Sequence, residues 1–467
     1  MIIDRVYTPG LAQVAYLIGD EQSGEAAIID PRRDIATYLD WAAEKGLTFV
    51  AICETHVHAD FVSGAKEMAD ETGATVYAGR IGATEFPHTP LDDGDEIRVG
   101  SLILRALWTP GHTPEHIAYL LIDPAKGTLP IAMFSGDVLF SEEIGRPDLL
   151  GAEAQQALIE QLYDTVTTRF SWLPDDLVVY PGHTAGSPCG KKIGNAPQTT
   201  MRQERNSNYA FNQPSREAFL RTVMDSMPKP PAYYPFMKRI NKIGPADMDT
   251  LTQASPMSPE AVVARHDAGA LLIDARPGSA FRAGHIPGAV SVEHGASFAI
   301  WAGWLTPYDR EVVLIVDTAD QLADAITDLR RIGVDKITGW LDGGMAAWTA
   351  AGRAVATLTS MSVHDLFAHR NDPTSNLLVL DVRDESEFLE GSVKDATHFF
   401  VGRLAQGERP DLSGRRVAVI CGSGYRSMVA ASLLENMGAK EIINVEGGMN
   451  AWHAAGLPAV VRQEAAM

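Results

Sequence analysis

Residues 55–64 read THVHADFVSG, and they follow an apolar run, TFVAIC (48–53), with only Glu54 between. A short β-branched run of this kind predicts a buried strand. What leaves the strand is two imidazoles, His56 and His58, and a carboxylate, Asp60. Imidazole with carboxylate suits zinc, iron or manganese better than copper(I) or calcium. Phe61, directly after the aspartate, has no lone pair to offer a metal and adds an apolar wall instead.

Three further apolar runs end the same way. LILRALW (102–108) leads to Thr109-Pro110-Gly111-His112, IAMF (131–134) to Ser135-Gly136-Asp137, and LVVY (177–180) to Pro181-Gly182-His183. If these strand ends lie together, His and Asp side chains converge on one rim, where open sheets bind ligands. Other strand candidates are VAYLIG (14–19) and AAIID (26–30). His88 and His116 lack such a setting and read as structural or solvent-exposed. Two histidines and one carboxylate on one ion would leave open faces, the arrangement of non-haem iron(II) oxygenases.

The second half of the chain repeats itself. LLIDARPGSAFRAGHIPGAV (271–290) with LDGGMAAWTAAGRAV (341–355) parallels LLVLDVRDESEFLEGSVKDA (377–396) with VEGGMNAWHAAGLPAV (445–460). Each copy spans about one hundred residues, a domain rather than a solenoid unit. Short β-branched runs alternate with amphipathic stretches, which predicts parallel α/β sheets. The expected domains are 1–245, ending in the aromatic, proline-rich arm MPKPPAYYPFMKRINKIGP (227–245), then 257–355 and 360–463.

In the second copy the strand RRVAVI (415–420) runs into Cys421-Gly422-Ser423-Gly424-Tyr425-Arg426-Ser427 and then a helix. A cysteine there faces backbone N–H groups and the positive end of a helix dipole. Arg426 adds a cation, and both features favour an anion on sulfur. Such a loop would hold a cysteine persulfide, with Cys421 and Arg426 as candidate catalytic residues and Gly422, Ser423, Gly424, Tyr425 and Ser427 as the cradle. In the first copy the strand VVLIV leads to Asp317-Thr318-Ala319-Asp320. A carboxylate cannot carry sulfane sulfur, so 257–355 reads as catalytically inactive, with a scaffolding or docking role.

The set His56, His58, Asp60, His112, Asp137 and His183 resembles the metallo-β-lactamase superfamily, which implies an αββα sandwich with the metal at one edge. Dinuclear hydrolases of that superfamily, such as glyoxalase II, carry histidine where Phe61 stands, so the second metal position is expected to be empty or weak. The pattern is similar to persulfide dioxygenases, and that likeness implies one iron(II) per chain on His56, His112 and Asp137, with O₂ as co-substrate. His58 is then a weak extra ligand or a neighbour of the ligands, and Asp60 and His183 hydrogen-bond around the site. The matching arginine, Arg146 in Gly145-Arg146-Pro147-Asp148, would lie near the thiol substrate, where a guanidinium suits a carboxylate; the other reading is a solvated arginine in a tight turn. Cys189 reads as packed and idle.

The loop around Cys421 resembles the rhodanese active site. Asp381-Val382-Arg383, Glu387-Phe388 and Gly447-Gly448-Met449-Asn450-Ala451-Trp452 extend the resemblance, as do Asp274-Ala275-Arg276 and Gly343-Gly344-Met345 in the first copy. The order of the three domains resembles persulfide dioxygenase–sulfurtransferase fusions. That implies oxidation of a low-molecular-weight thiol persulfide, of glutathione, coenzyme A or similar, to sulfite, coupled to formation or use of thiosulfate in sulfide detoxification. Two rivals stand: a glyoxalase II-like zinc thioester hydrolase, and a sulfane-sulfur carrier or sensor without oxygen chemistry.

The formal charge of −21, from 60 acidic and 39 basic residues among 467, disfavours nucleic acid and anionic membrane surfaces. No apolar run approaches a membrane span and no signal peptide is evident, while three unpaired-looking cysteines, Cys53, Cys189 and Cys421, suggest a reducing cytosol. A cytoplasmic homo-oligomer is expected.

Overall fold

The computed structural model describes residues 1–225, 227–372, 374–412 and 414–462, so the expected end of the third domain at 463 lies outside the described residues. The chain divides into two compact units, Met1–Thr250 with Arg330–Gly333, and Leu251–Leu329 with Val334–Met467.

The first unit is two six-stranded sheets packed face to face. One runs Ile2–Thr8, Gln13–Asp20, Glu25–Ile29, Thr48–Cys53, Thr75–Gly79, Thr89–Leu91 in that order. The other runs Thr199–Thr200, Val178–Pro181, Ala132–Gly136, Ile117–Ile122, Leu102–Trp108, Glu96–Val99. Alternation along the strands sends one set of side chains between the sheets, among them Val14, Tyr16, Ala51, Leu104, Tyr119 and Phe134. The opposite set meets helices. Leu17, Ile28 and Ile52 pack under the helices Ala36–Lys45 and Ala65–Thr72, and Leu120, Met133 and Val179 under Ala152–Asp164 and Arg216–Met224. This is the expected αββα sandwich. The six strands read from sequence are half of the twelve among the described residues of this unit; most of the others are short or edge strands, but Ile117–Ile122 is an interior strand of six buried residues that the sequence reading does not include.

The second unit contains the repeat as two five-stranded parallel sheets of identical order. The first is Ser255–Met257, Ile337–Leu341, Val312–Ile315, Leu271–Asp274, Val290–Ser291; the second is Thr359–Met361, Ile442–Val445, Arg416–Ile420, Leu377–Asp381, Thr397–His398. The Asp-x-Arg motifs lie at the ends of Leu271–Asp274 and Leu377–Asp381, each beside the central strand of its sheet. Arg276 makes two hydrogen bonds to the buried Asp274 carboxylate, at 2.9 and 2.6 Å, and a third to Gly284 O at 2.9 Å. Arg383 repeats the pattern with Asp381 and Gly391 O. A buried carboxylate is tolerable because a fork-shaped cation satisfies both oxygens.

Candidate functional site

The turns after Thr48–Cys53, Leu102–Trp108 and Ala132–Gly136 bring His56, His112 and Asp137 together. His56 Nε2 lies 3.8 Å and His112 Nε2 3.7 Å from Asp137 Oδ2. All three side chains are buried, and these three atoms have no hydrogen-bond partner. Buried polar atoms without partners are costly, and a cation among them would satisfy all three at once.

Surrounding groups set each ligand's lone pair. Thr55 Oγ1 donates to Asp30 Oδ2 (2.7 Å), so His56 Nδ1, 2.9 Å from the same hydroxyl, must donate to it, leaving the Nε2 lone pair free. His112 Nδ1 can only donate to the Arg146 carbonyl, 2.8 Å away, with the same result at Nε2. Burial, with the neighbouring imidazoles, holds His56 and His112 well below the usual histidine range, so both are neutral. Asp137 N–H donates to His116 Nε2 (3.1 Å), and His116 Nδ1 is 2.8 Å from Thr109 Oγ1. Burial lowers His116 to about 3, which keeps it neutral as this pairing requires. His116 is thus structural, yet it holds a ligand's backbone and stacks on His56, ring centres 5.2 Å apart. Gly136, at φ +51°, leaves the space that a Cβ would take 2.7 Å from His116 Nε2.

Beside these three side chains His183 bridges two carboxylates. His183 Nδ1 is 2.7 Å from Asp137 Oδ1 and its Nε2 2.8 Å from Asp60 Oδ2. Burial alone would lower His183, but the two carboxylates carry it well above the ordinary range, so an imidazolium bridges them. Asp60, His183 and Cys189 form a second buried group of metal-type side chains, and Asp30, Glu54 and His58 a third. His58 belongs to that third group: its Nε2 is 3.2 Å from Asp30 Oδ1 and 3.7 Å from Glu54 Oε2. Burial works against its charge, but Asp30 and Glu54 raise it to about 9. The Phe61 ring is fully buried, 4.4 Å from the His58 ring. Cys189 is buried 3.8 Å from Tyr234 Oη, and burial pushes its thiol up, which suits the packed reading.

Arg146 corrects its expectation. It is fully buried rather than solvated, and its guanidinium is already engaged: Nε and Nη2 with Asp148 at 2.7 and 2.8 Å, Nη1 with Pro188 O, Nη2 with Pro228 O. Its carbonyl also accepts from His112 Nδ1, so Arg146 braces the His112 turn. The aromatic arm matters more than its sequence suggested. Its helix Tyr234–Ile243 packs Asn241 against the metal turn, Nδ2 donating to His58 O (2.9 Å) and Phe61 O (2.7 Å), Oδ1 accepting from Ser63 N. Lys238, one turn earlier, buries its ammonium with no hydrogen-bond partner, and burial lowers it. A lone lysine or asparagine inside an aromatic run carries no spacing signal, and so neither stood out in the sequence.

In the second unit Cys421 directly follows the strand Arg416–Ile420, and the helix Tyr425–Asn436 begins four residues later. The thiol is buried, with Gly424 N–H donating to Sγ at 3.1 Å and Ser427 Oγ 3.4 Å away. The loop's carbonyls are tied behind it: Met449 N donates to Cys421 O (2.7 Å) and Asn450 N to Gly422 O (2.9 Å). Gly448, at φ +54°, makes this possible, since a Cβ there would sit 2.3 Å from Cys421 O. Arg426 lies over the loop, paired with both Glu387 oxygens and 3.4 Å from Asp384. In the first copy the helix Ala319–Arg331 starts two residues after Asp317, leaving no loop to wrap a sulfur.

The Metallo-beta-lactamase superfamily pattern matches residues 8–183, and the Rhodanese-like domain pattern matches twice, at 258–351 and 362–455. The chain is 31% identical over 186 residues to the persulfide dioxygenase ETHE1, mitochondrial, of Homo sapiens, covering 39% of this chain and 68% of that protein. It is 33% identical over 181 residues to a hydroxyacylglutathione hydrolase of Rhodopseudomonas palustris, covering 38% and 65%. The crystal structure of a metallo-beta-lactamase from Staphylococcus aureus superposes with a TM-score of 0.66 at 34% identity, over 73% of this chain and 98% of that one. The chain therefore belongs to the metallo-β-lactamase superfamily, in the branch where a domain related to persulfide dioxygenases is fused to two rhodanese-like domains.

Proposed function

We propose that the first unit is a mononuclear iron(II) persulfide dioxygenase and that Cys421 is a sulfurtransferase nucleophile, together handling sulfane sulfur. The reaction is R–S–SH + O₂ + H₂O → R–SH + H₂SO₃. The observation that supports this reading is the convergence of two neutral imidazole Nε2 atoms and one carboxylate oxygen, all without partners, with a fully buried Phe61 where dinuclear relatives carry histidine. Three ligands leave open faces, and iron(II) bound there would supply O₂ activation. A dinuclear hydrolase relies on a second ion to help deliver hydroxide, which this arrangement does not favour.

The chain's own groups divide the remaining work. Asp30 and Thr55 orient His56; the Arg146 carbonyl orients His112; His116 and His183 hold Asp137 from two sides. Lys238 is a buried cation available to an anionic persulfide or its carboxylate. At Cys421, sulfur from thiosulfate or a persulfide would be held against the Gly424 N–H.

The test is anaerobic iron reconstitution followed by O₂ uptake and product analysis with glutathione persulfide. Uptake with sulfite release is expected from the intact protein and from Cys421→Ser, and thiosulfate only from the intact protein. The likeness to hydroxyacylglutathione hydrolases keeps a zinc thioester hydrolase as the second reading. Zinc in the purified protein, thioester hydrolysis, and no O₂ uptake after iron loading would establish it instead.

A further inference from the structure

The first unit is not built from one stretch of chain. It includes Arg330–Gly333, the last two residues of the helix Ala319–Arg331 and the turn that follows. By sequence these four residues belong to the repeat copy that carries Asp317; by packing they belong to the first unit. Main chain and side chains both hold them there. Val62 N donates to Arg331 O (2.7 Å), and Arg33 Nη1 donates to Arg330 O (3.3 Å). Arg331 Nε and Nη2 donate to the two oxygens of Asp34, at 2.9 and 2.6 Å.

Val62 directly follows Phe61 in the metal turn and is fully buried. Its neighbours find partners within residues 1–250: Phe61 O and Ser63 N are taken by Asn241, and Gly64 N donates to Pro31 O (2.8 Å). The Val62 N–H is satisfied by Arg331 instead, and a buried N–H left without an acceptor is costly. Gly333 closes the other side. It is buried at φ +73°, and a Cβ there would lie 2.7 Å from Met237 Cε, 3.1 Å from Ile240 Cδ1 and 3.3 Å from Val62 Cγ2. Met237 and Ile240 stand on the helix Tyr234–Ile243, which also carries Lys238 and Asn241. The segment thus touches both pieces that frame the candidate metal site, the 55–64 turn and the aromatic arm. The second copy of the repeat provides the comparison. Gly438 follows the helix Tyr425–Asn436 at the same distance and is also left-handed, at φ +86°, yet it is exposed and a Cβ would meet nothing within 4 Å. A left-handed glycine ends both helices; close packing on it belongs to the first copy alone.

We propose that Arg330–Gly333 is a positioning segment for the metal turn: the Arg331 carbonyl and the bare face of Gly333 hold Val62 and the arm helix so that His56 stays in place opposite His112 and Asp137. The inference rests on the reading of those three residues as metal ligands. The turn between the strand Thr48–Cys53 and the helix Ala65–Thr72 contains no strand or helix of its own, so its shape depends on bonds from elsewhere. Near its start Thr55 and Asp30 fix His56; near its end Arg331 fixes Val62. The repeat copy that lacks a cysteine therefore keeps a task, lending four residues to the geometry of the first unit's site.

The test is anaerobic iron(II) affinity of the full-length protein by chelator competition, measured well below the unfolding temperature, with sulfur transfer at Cys421 followed on the same samples. Gly333→Asn keeps a residue that accepts the left-handed conformation but drives a Cβ toward Met237, Ile240 and Val62. It is expected to lower iron(II) affinity about tenfold, the lower end for groups that orient ligands from outside, with transfer retained. Gly438→Asn imposes the same backbone demand where nothing is packed, and its affinity is expected to match the intact protein. Should Gly333→Asn fail to fold, Arg331→Ala decides, since it unties the segment from Asp34 and keeps the carbonyl; a loss of a few fold is expected. Unchanged affinity in the deciding variant, even with a lower unfolding temperature, would overturn the positioning role, and so would an equal loss in Gly438→Asn. An intact protein that binds no iron(II) would overturn the reading of the ligands instead.

Discussion

His183 Nδ1 lies 2.7 Å from Asp137 Oδ1, while Oδ2 of the same carboxylate faces His56 and His112. The expected metal content is one ion per chain by elemental analysis. Phe61→His, which restores a nitrogen beside Asp60, should raise it toward two.

Asp30 and Thr55 reach His56 only through hydrogen bonds, so their effect is on orientation. Thr55→Val removes the hydroxyl that fixes the His56 tautomer. Metal affinity, measured by chelator competition, is expected to fall about 10–100-fold, while sulfur transfer at Cys421 continues.

Lys238 presents a buried ammonium with no hydrogen-bond partner. Lys238→Ala should raise KM for glutathione persulfide about tenfold, the order expected for one charge-assisted hydrogen bond, with little change in bound metal. A lower kcat at unchanged KM would count against a binding role.

Gly448 is the backbone support of the sulfur-carrying loop. Gly448→Ala forces a left-handed conformation on alanine, costing about 1–3 kcal/mol, and drives its Cβ against Cys421 O, 2.3 Å away. Transfer from thiosulfate should drop more than tenfold while iron-dependent O₂ uptake persists.

Burial alone would raise the Glu387 carboxyl, but Arg426 holds it below the usual range. A carboxyl lowered on folding stabilises the folded state above its unfolded pKa, about 4.3, and that contribution is lost as pH falls through the lower folded value. Acid unfolding of the loop region, followed by sulfur transfer after brief acid exposure, should therefore set in below about pH 4.3. Glu387→Gln should remove this dependence at the cost of transfer activity at neutral pH.

Several features were readable because they are local. The turn that follows a buried strand is encoded within about ten residues, so His56, His112, Asp137 and His183 could be found by their position after apolar runs. The duplication, and the aspartate at 317 against the cysteine at 421, needed only alignment of the chain with itself. The orientation of each ligand was not readable. His112 is set by a carbonyl 34 residues away, and the metal turn is braced by Asn241, 180 residues from Phe61. The burial of Arg146 was unreadable for the same reason: nothing local announced its hydrogen bonds to the Pro188 and Pro228 carbonyls.

By itself the sequence determined which side chains exist at the strand ends and which copy of the repeat has a cysteine after its strand, because apolar periodicity and residue chemistry are properties of short segments. Only the tertiary structure decided which lone pairs stay free, that Arg146 is buried against protein oxygens, and that Arg330–Gly333 of the cysteine-less copy packs within the first unit. Those outcomes depend on partners brought in by folding, and a buried donor or acceptor takes its meaning from what it meets in space.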